Sequence, residues 1–260
     1  MKEFDTIKTE LSGQIATLWL SRPDVHNALD DIMIRELSTF FKEIEDDDKI
    51  RLVVIRGDGK SFCSGADLNW MKRAFSLTAE ENLRESKELS DLFKIIFDSS
   101  KIVIAVVHGN VFGGGNGIVA ACDLAYSIDN AKFSLSETRI GMAAASITPY
   151  LLRKVYASDL KALIFSAVSF NGKDAVKYGL INKSFPSVEF MELYLNSLIS
   201  EILGNGKLAV IESKRLINRL TDQSMTEEML HIPETLARIR VSPEAQEGFS
   251  AFLEKRKPRW

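Results

Sequence analysis

The residues best able to do chemistry lie between Ile102 and Ile140, in the stretch IVIAVVHGNVFGGGNGIVAACDLAYSIDNAKFSLSETRI. An apolar, β-branched run leads to the triple glycine Gly113-Gly114-Gly115, then to a small-residue helix, a second short strand and one carboxylate, Glu137. A strand that enters a glycine turn and a helix start leaves backbone N–H groups free to face an anion. A second glycine-flanked segment, Gly65-Ala66, also follows an apolar strand, so both can lie at one edge of a parallel sheet, where α/β sites form. Two N–H groups on one oxygen make an oxyanion hole, in which losing a donor costs about 3 kcal/mol of transition-state stabilisation. An acid/base group on the neighbouring carbon adds roughly 10²–10⁴-fold. Each segment also has a plain reading: Gly65-Ala66 as a tight loop, the triple glycine as close helix–sheet packing, and Glu137 as a cap or a partner of Arg139.

Other chemistries fit less well. No Gly-Lys-Ser/Thr follows the glycines, the dinucleotide spacing is absent, and no Ser stands in a Gly-x-Ser-x-Gly elbow. His26, His108 and His231 have no partner at helical spacing, so they read as surface or turn histidines, with no metal site expected.

The elements that must position these groups alternate. Residues 4–20 read as a hairpin turning at Ser12-Gly13, with QIATLWL as its better strand. Asn27 is expected to cap a helix carrying Leu29, Met33, Leu37, Phe40, Phe41 and Ile44, which ends in a solvated acidic run, Asp46-Asp47-Asp48. Leu52 to Ile55 reads as a buried parallel strand, and Thr78 to Glu81 as a capping box for a helix with Leu89, Leu92, Phe93, Ile96 and Phe97. Alternation of strand and helix predicts an α/β layer with right-handed crossovers. Beyond Thr148 helices dominate. Ser158 is expected to cap Leu160 to Phe165, and Asn171-Gly172 to open a helix that Gly179 closes. Ile181 to Phe185 reads as a last strand. Two amphipathic helices follow, and Ser242, Pro243 and Gln246 read as the start of a final one. The expected division is an α/β core over residues 1–190 and a helical region over 191–260.

At 260 residues, with 45% hydrophobic and 27% charged residues, the composition is that of a globular protein with a sizeable core. A net charge of −3 gives no reason to expect nucleic acid or an anionic membrane as partner. Cys63 and Cys122 lie far apart among small or apolar residues and read as reduced, buried thiols of a cytoplasmic protein. The opening MKEFDTIKTE has no apolar centre, so no secretory signal is expected there.

Several blocks, in order and spacing, resemble the crotonase (enoyl-CoA hydratase/isomerase) superfamily: LSRPDVHNAL at 20–29, FCSGADLNWM at 62–71, IAVVHGNVFGGGNGIVAACDLAYS at 104–127 and FSLSETRIGM at 133–142. GKDAVKYGLINKSFP at 172–186 and EGFSAFLEKRKPRW at 247–260 extend the likeness over nearly the whole chain. The resemblance implies an α/β crotonase-like ββα-spiral core with a C-terminal helical trimerisation region, a homotrimer or dimer of trimers, and an acyl-CoA thioester substrate without a separate cofactor. It also implies that the Ala66 and Gly114 N–H groups form the oxyanion hole. The backbone of Ser64, Ala66, Asp67 and Leu68 would line the adenine pocket, and the tail around Phe252 and Lys255 would reach a CoA.

The departures are equally informative. The two-carboxylate hydratases place one glutamate two residues after the triple glycine, where this chain has Gly117; their second matches Glu137. Met142 to Tyr150 replaces a glycine-rich loop, and Ala145 stands where related dehalogenases carry a nucleophilic aspartate. Counting carboxylates alone, Glu137 would shuttle a proton in Δ3,Δ2-enoyl-CoA isomerisation. GGGNGIVAACD and LSETRIGMAAASITPY resemble instead bacterial methylglutaconyl-CoA-type hydratases, in which Glu137 would activate water. A catalytically silent acyl-CoA-binding protein is the third alternative. Trp70, Met71 and Tyr150 are candidates for the acyl pocket or for the core.

Overall fold

The computed structural model describes residues 3–74, 76–222 and 242–259. The chain divides into two compact units, Met1–Leu193 and Tyr194–Trp260.

In the first unit, β1 (Ile7–Ser12) and β2 (Ile15–Leu20) form the expected antiparallel hairpin. β2 buries alternate residues, Ala16, Leu18 and Leu20, as a strand with one core face should. β3 (Leu52–Gly57), β5 (Ile102–Val107), β7 (Leu124–Ile128) and β10 (Lys183–Phe185) add in parallel, giving the order β1-β2-β3-β5-β7-β10. All six residues of β5 are buried, which explains its unbroken apolar sequence.

A second sheet has the order β4-β6-β8-β9, made of β4 (Ser61–Cys63), β6 (Asn110–Phe112), β8 (Lys132–Ser134) and β9 (Phe170–Asn171). β4, β6 and β8 are mutually parallel; β9 runs antiparallel to β8. A repeating path results. A strand of the large sheet passes into a short strand of the small sheet and then into a helix: β3, β4 and then α2 (Leu68–Ala74) with α3 (Ala79–Asp98); β5, β6 and then α4 (Gly114–Ala121). This is the ββα spiral. The apolar run Ile102–Val107 therefore does not itself enter the triple glycine; the three-residue β6 does.

Helix α1 (Asp31–Glu45) buries Met33, Ile34, Leu37, Phe40, Phe41 and Ile44 and packs on α3, which buries Leu92, Phe93 and Ile96. Each such apolar side chain removed from water is worth about 1.5–3 kcal/mol. Thr78 and Glu81 form the expected capping box. Asn27, however, does not cap α1. Asp30 does, accepting the Met33 N–H at 2.8 Å. Asn27 instead adopts φ +55° and is consumed by three bonds, accepting from the Arg22 N–H and donating to the Asp58 and Ser61 carbonyls, each at 2.8 Å.

Of two further caps, one differs from expectation and one agrees with it. α6 (Ala157–Ser166) starts after Tyr156 with no side-chain cap, so Ser158 lies inside the helix. α7 (Gly172–Lys177) is capped by Asn171, which accepts the Asp174 N–H. Between β8 and α6 come a 3-10 turn, Glu137–Ile140, and α5 (Thr148–Leu151); α8 spans Val188–Gly204.

In the second unit, α9 (Lys207–Asp222) and α10 (Pro243–Leu253) are joined by Glu244, whose carboxylate accepts from the Leu208 and Ala209 N–H groups, both at 2.9 Å. A carboxylate there satisfies two orphan donors and the positive end of the α9 dipole. Ser242 caps α10 by accepting the Ala245 N–H. The capping-box position is therefore Ala245, and Gln246 falls one residue too late. Among the described residues no helix is long and apolar enough to cross a membrane.

Candidate active site

The site is built where β4 and β6, neighbours in the small sheet, run out. Gly113 takes φ +46°, in the region that favours glycine, and opens α4. A Cβ on Gly113 would stand 3.7 Å from the Gly65 Cα and 3.4 Å from Oε1 of Glu137. Gly65, Gly113 and the Glu137 carboxylate are thus in contact.

Ala66 follows Gly65 and is held by a parallel bridge to Leu29. The Leu29 N–H donates to the Gly65 carbonyl at 2.7 Å, and the Asp67 N–H to the Leu29 carbonyl at 2.8 Å. In such a bridge the N–H of the central residue, Ala66, turns away from its partner strand. Gly114, as the first residue of α4, has no intrahelical acceptor for its N–H. Among the described residues neither N–H finds an acceptor. Ala66 is exposed and Gly114 half-buried, so both donors are reachable.

Asp67 fixes this loop from within. One carboxylate oxygen accepts from the Asn69 N–H at 2.7 Å and the Trp70 N–H at 3.2 Å, starting α2; the other accepts from Arg22 at 3.0 Å. Arg22 also pairs with Asp30 and donates to the Ala28 carbonyl. Burial alone would push the Asp67 carboxyl up, but these donors outweigh it and hold it below its ordinary value. The Asp67 backbone is bonded as well, its N–H to the Leu29 carbonyl and its carbonyl to the Met71 N–H at 2.9 Å; beside it Ser64 is half-buried and Leu68 exposed.

Glu137 is the opposite case. Its Oε2 is buried and has no hydrogen-bond partner, and burial raises its pKa above the usual carboxylate value. The alternative pairing with Arg139 is not formed: Arg139 donates instead to the Ala167 carbonyl at 2.8 Å, while Thr138 donates to the Ile164 carbonyl. Both bonds anchor the Glu137–Ile140 turn to the end of α6.

At Gly117 the space for a second acid is filled. A Cβ there would fall 2.4 Å from the Ile147 Cγ2 and 2.7 Å from the Phe93 ring, and both side chains are buried. Phe93 is backed by Tyr150 at 6.2 Å between ring centroids, and Tyr150 also meets Phe97. Tyr150 is therefore on the core side. Trp70 packs on the core as well, with its indole N–H donated to Glu85 at 2.6 Å. Met71 is half-buried.

Phe252 and Lys255 lie in the second unit, Lys255 exposed with φ +52° just beyond α10. The basic tail is partly folded back, because Arg256 binds Glu247 through two nitrogens and the Arg259 N–H reaches the same carboxylate. His26 shares a hydrogen bond with Ser61, and His108 lies 2.9 Å from the Gly59 carbonyl oxygen; His231 lies outside the described residues. Cys63 and Cys122 are buried and unpaired as disulfides, and burial pushes the Cys63 thiol up to about 12. Sequence reasoning missed Phe93 and Ile147 as the groups opposite Gly117, and Arg22 as the anchor of Asp67. Nothing in their spacing could have shown either.

The fold, the paired glycine turns and the single glutamate define the class. Residues 10–260 match the model of the enoyl-CoA hydratase/isomerase family, and the chain belongs to that family. It is 30% identical over 261 residues to the short-chain-enoyl-CoA hydratase of Clostridium acetobutylicum, covering 98% of this chain and 97% of that one. It is 31% identical over 255 residues to the mitochondrial Δ(3,5)-Δ(2,4)-dienoyl-CoA isomerase of Dictyostelium discoideum, covering 94% of this chain and 86% of the other. The crystal structure of an enoyl-CoA hydratase from Shewanella pealeana superposes with a TM-score of 0.94 at 31% identity, covering 99% and 97% of the two chains.

Two stability measurements check this geometry. A helical Gly→Ala change normally gains about 1 kcal/mol, but Gly117→Ala should instead lower stability by roughly 1–3 kcal/mol through overpacking. Denaturant midpoints should show that loss, partly recovered when Ile147→Ala is added; a gain would contradict the packing. For Glu137, the raised native pKa means its stabilising contribution is present below the unfolded value of about 4.3 and lost as pH rises through the native one. Glu137→Gln should therefore raise the thermal midpoint at neutral pH, with the difference closing in acid. A lowered midpoint at neutral pH would contradict the burial argument.

Proposed function

We propose that this protein is an enoyl-CoA hydratase that adds water across a 2-enoyl-CoA thioester with one carboxylate as acid and base. The reading is carried by the Glu137 carboxylate, which lies against Gly113, beside the free Gly114 N–H, with one oxygen buried and unpartnered. The Ala66 and Gly114 N–H groups hold the thioester oxygen and gain strength as it becomes an enolate, which places their effect in the transition state. Glu137 takes a proton from water as the oxygen adds to C3, and electrons move through C2 to the thioester oxygen. The protonated Glu137 then returns that proton to C2. Atoms and charge balance with one group. A carboxyl with a raised pKa suits both halves, since it accepts the proton more readily and holds it until C2 is ready. The backbone of Ser64, Ala66, Asp67 and Leu68 would receive the CoA, with Phe252 and Lys255 as the tail's contribution. A branched, methylglutaconyl-type acyl group is one substrate form within this proposal, suggested by the resemblance of GGGNGIVAACD and LSETRIGMAAASITPY to such hydratases.

The filled space at Gly117 favours a second reading. With Phe93 and Ile147 opposite, Glu137 would be the sole proton carrier of a Δ3,Δ2-enoyl-CoA isomerase.

We also place the protein in the cytoplasm, where buried thiols stay reduced, and in a homotrimer or dimer of trimers. Ile140, Met142, Leu152, Tyr156, Phe165 and Val168 are large apolar side chains left exposed on the first unit, as at subunit contacts. Sedimentation should give three or six times the chain mass; a monomer would refute the assembly.

Absorbance of the conjugated enoyl thioester separates the two reactions. A hydratase bleaches it in 2-enoyl-CoA, straight or branched, whereas an isomerase creates it from 3-enoyl-CoA. In either case Glu137→Gln should lower turnover roughly 10²–10⁴-fold, and full activity in that variant would remove Glu137 from the mechanism.

A further inference from the structure

Asn116 sits in the first turn of α4 and is fully buried. Its side chain lies 3.1 Å from the Val111 carbonyl oxygen and 2.9 Å from that of Ser134. Only the NH₂ end of an amide can donate to two carbonyls, so the assignment of its nitrogen follows from its neighbours. The Ser134 oxygen also accepts the Gly113 N–H at 3.1 Å, and the Asn116 N–H returns to the Gly113 carbonyl at 2.9 Å.

These bonds join two strand ends. Val111 belongs to β6, which leads through Gly113 to Gly114. Ser134 is the last residue of β8, which leads through Leu135 and Ser136 to Glu137. The ladder between β6 and β8 ends at the pair Phe112 and Ser134. Beyond it, Asn116 carries the connection into the site.

The amide is an awkward choice for stability alone. Its Oδ1 is buried without a partner, a destabilising arrangement that a small apolar residue would avoid. What the amide provides is a two-pronged donor between the strand that delivers the Gly114 N–H and the strand that delivers Glu137.

We propose that Asn116 is a positioning residue, setting the distance between the Gly114 oxyanion donor and the Glu137 carboxylate. The inference rests on the site reading above, in which those two groups act on one thioester. Geometry of this kind is costly to lose, since a misplacement of about 1 Å can lower a rate about 10²-fold.

The test compares Asn116→Ala with the unaltered protein for kcat, KM, thermal midpoint and binding of a saturated acyl-CoA, using whichever enoyl-CoA is turned over. The expected result is kcat reduced at least tenfold, with KM and acyl-CoA affinity within about twofold. A second readout is the near-ultraviolet band of a bound β-ketoacyl-CoA enolate, which reports oxyanion stabilisation and should weaken. Wild-type kcat with a lowered midpoint would make Asn116 a structural residue and overturn the proposal. Should Asn116→Ala fail to fold, Asn116→Asp, which keeps the volume but replaces the NH₂ donor of both bonds by an acceptor oxygen, is read by the same criteria; failure of both to fold also overturns it. Glu137→Gln is assayed in parallel. Full activity there would refute the site reading itself, a result distinct from normal kcat in the Asn116 variants alone.

Discussion

The structure depends on two backbones approaching where no side chains intervene. Gly65 and Gly113 touch because β4 and β6 are neighbours in the small sheet, and those short strands are neighbours because β3 and β5 pair in parallel in the large one. Parallel pairing requires a long crossover between the strands, which α2 and α3 supply. A large part of the first unit therefore serves to bring two turns from distant parts of the sequence into contact. A side chain at Gly65 would be strained at φ +93° and tight against the Phe112 carbonyl, so the requirement is steric before it is chemical.

Two carboxylates next to this contact show how environment divides labour. Asp67 is buried and fully served by two N–H groups and a guanidinium; it stays charged and holds the loop. Glu137 is buried with an unpartnered oxygen, so its charged form is disfavoured. Satisfied charge gives rigidity, and unsatisfied charge gives a group prepared to take up a proton.

The sequence was most legible where the physics is local. The hairpin at Ser12-Gly13, the capping box at Thr78 and the buried stripe from Met33 to Ile44 depend on neighbours within a few residues, and the structure has all three. The misread caps have a common cause. Asn27 has a good capping side chain, but the turn after β3 claims it; Gln246 falls one residue past the position it needs, and Ser158 two residues past the N-cap at Tyr156. The second sheet was not legible, because strands of two or three residues carry no periodicity. Of the site, Gly114, Ala66 and Glu137 could be named because glycine turns and a lone carboxylate stand out in sequence. Their supports could not: Arg22 reaches Asp67, and Phe93 reaches Gly117, only through the fold.

Phe93 also constrains how this site could change over evolutionary time. It is fully buried, lies against Gly117 together with Ile147, and is braced by Tyr150. An acid at position 117 therefore cannot be acquired in one mutational step, since the first substitution would meet an aromatic ring before it could meet a substrate. The route passes through a prior loss at Phe93 or Ile147, a change that weakens the core and offers no catalytic return by itself. Packing thus makes the single-carboxylate site a historical commitment as well as a chemical one.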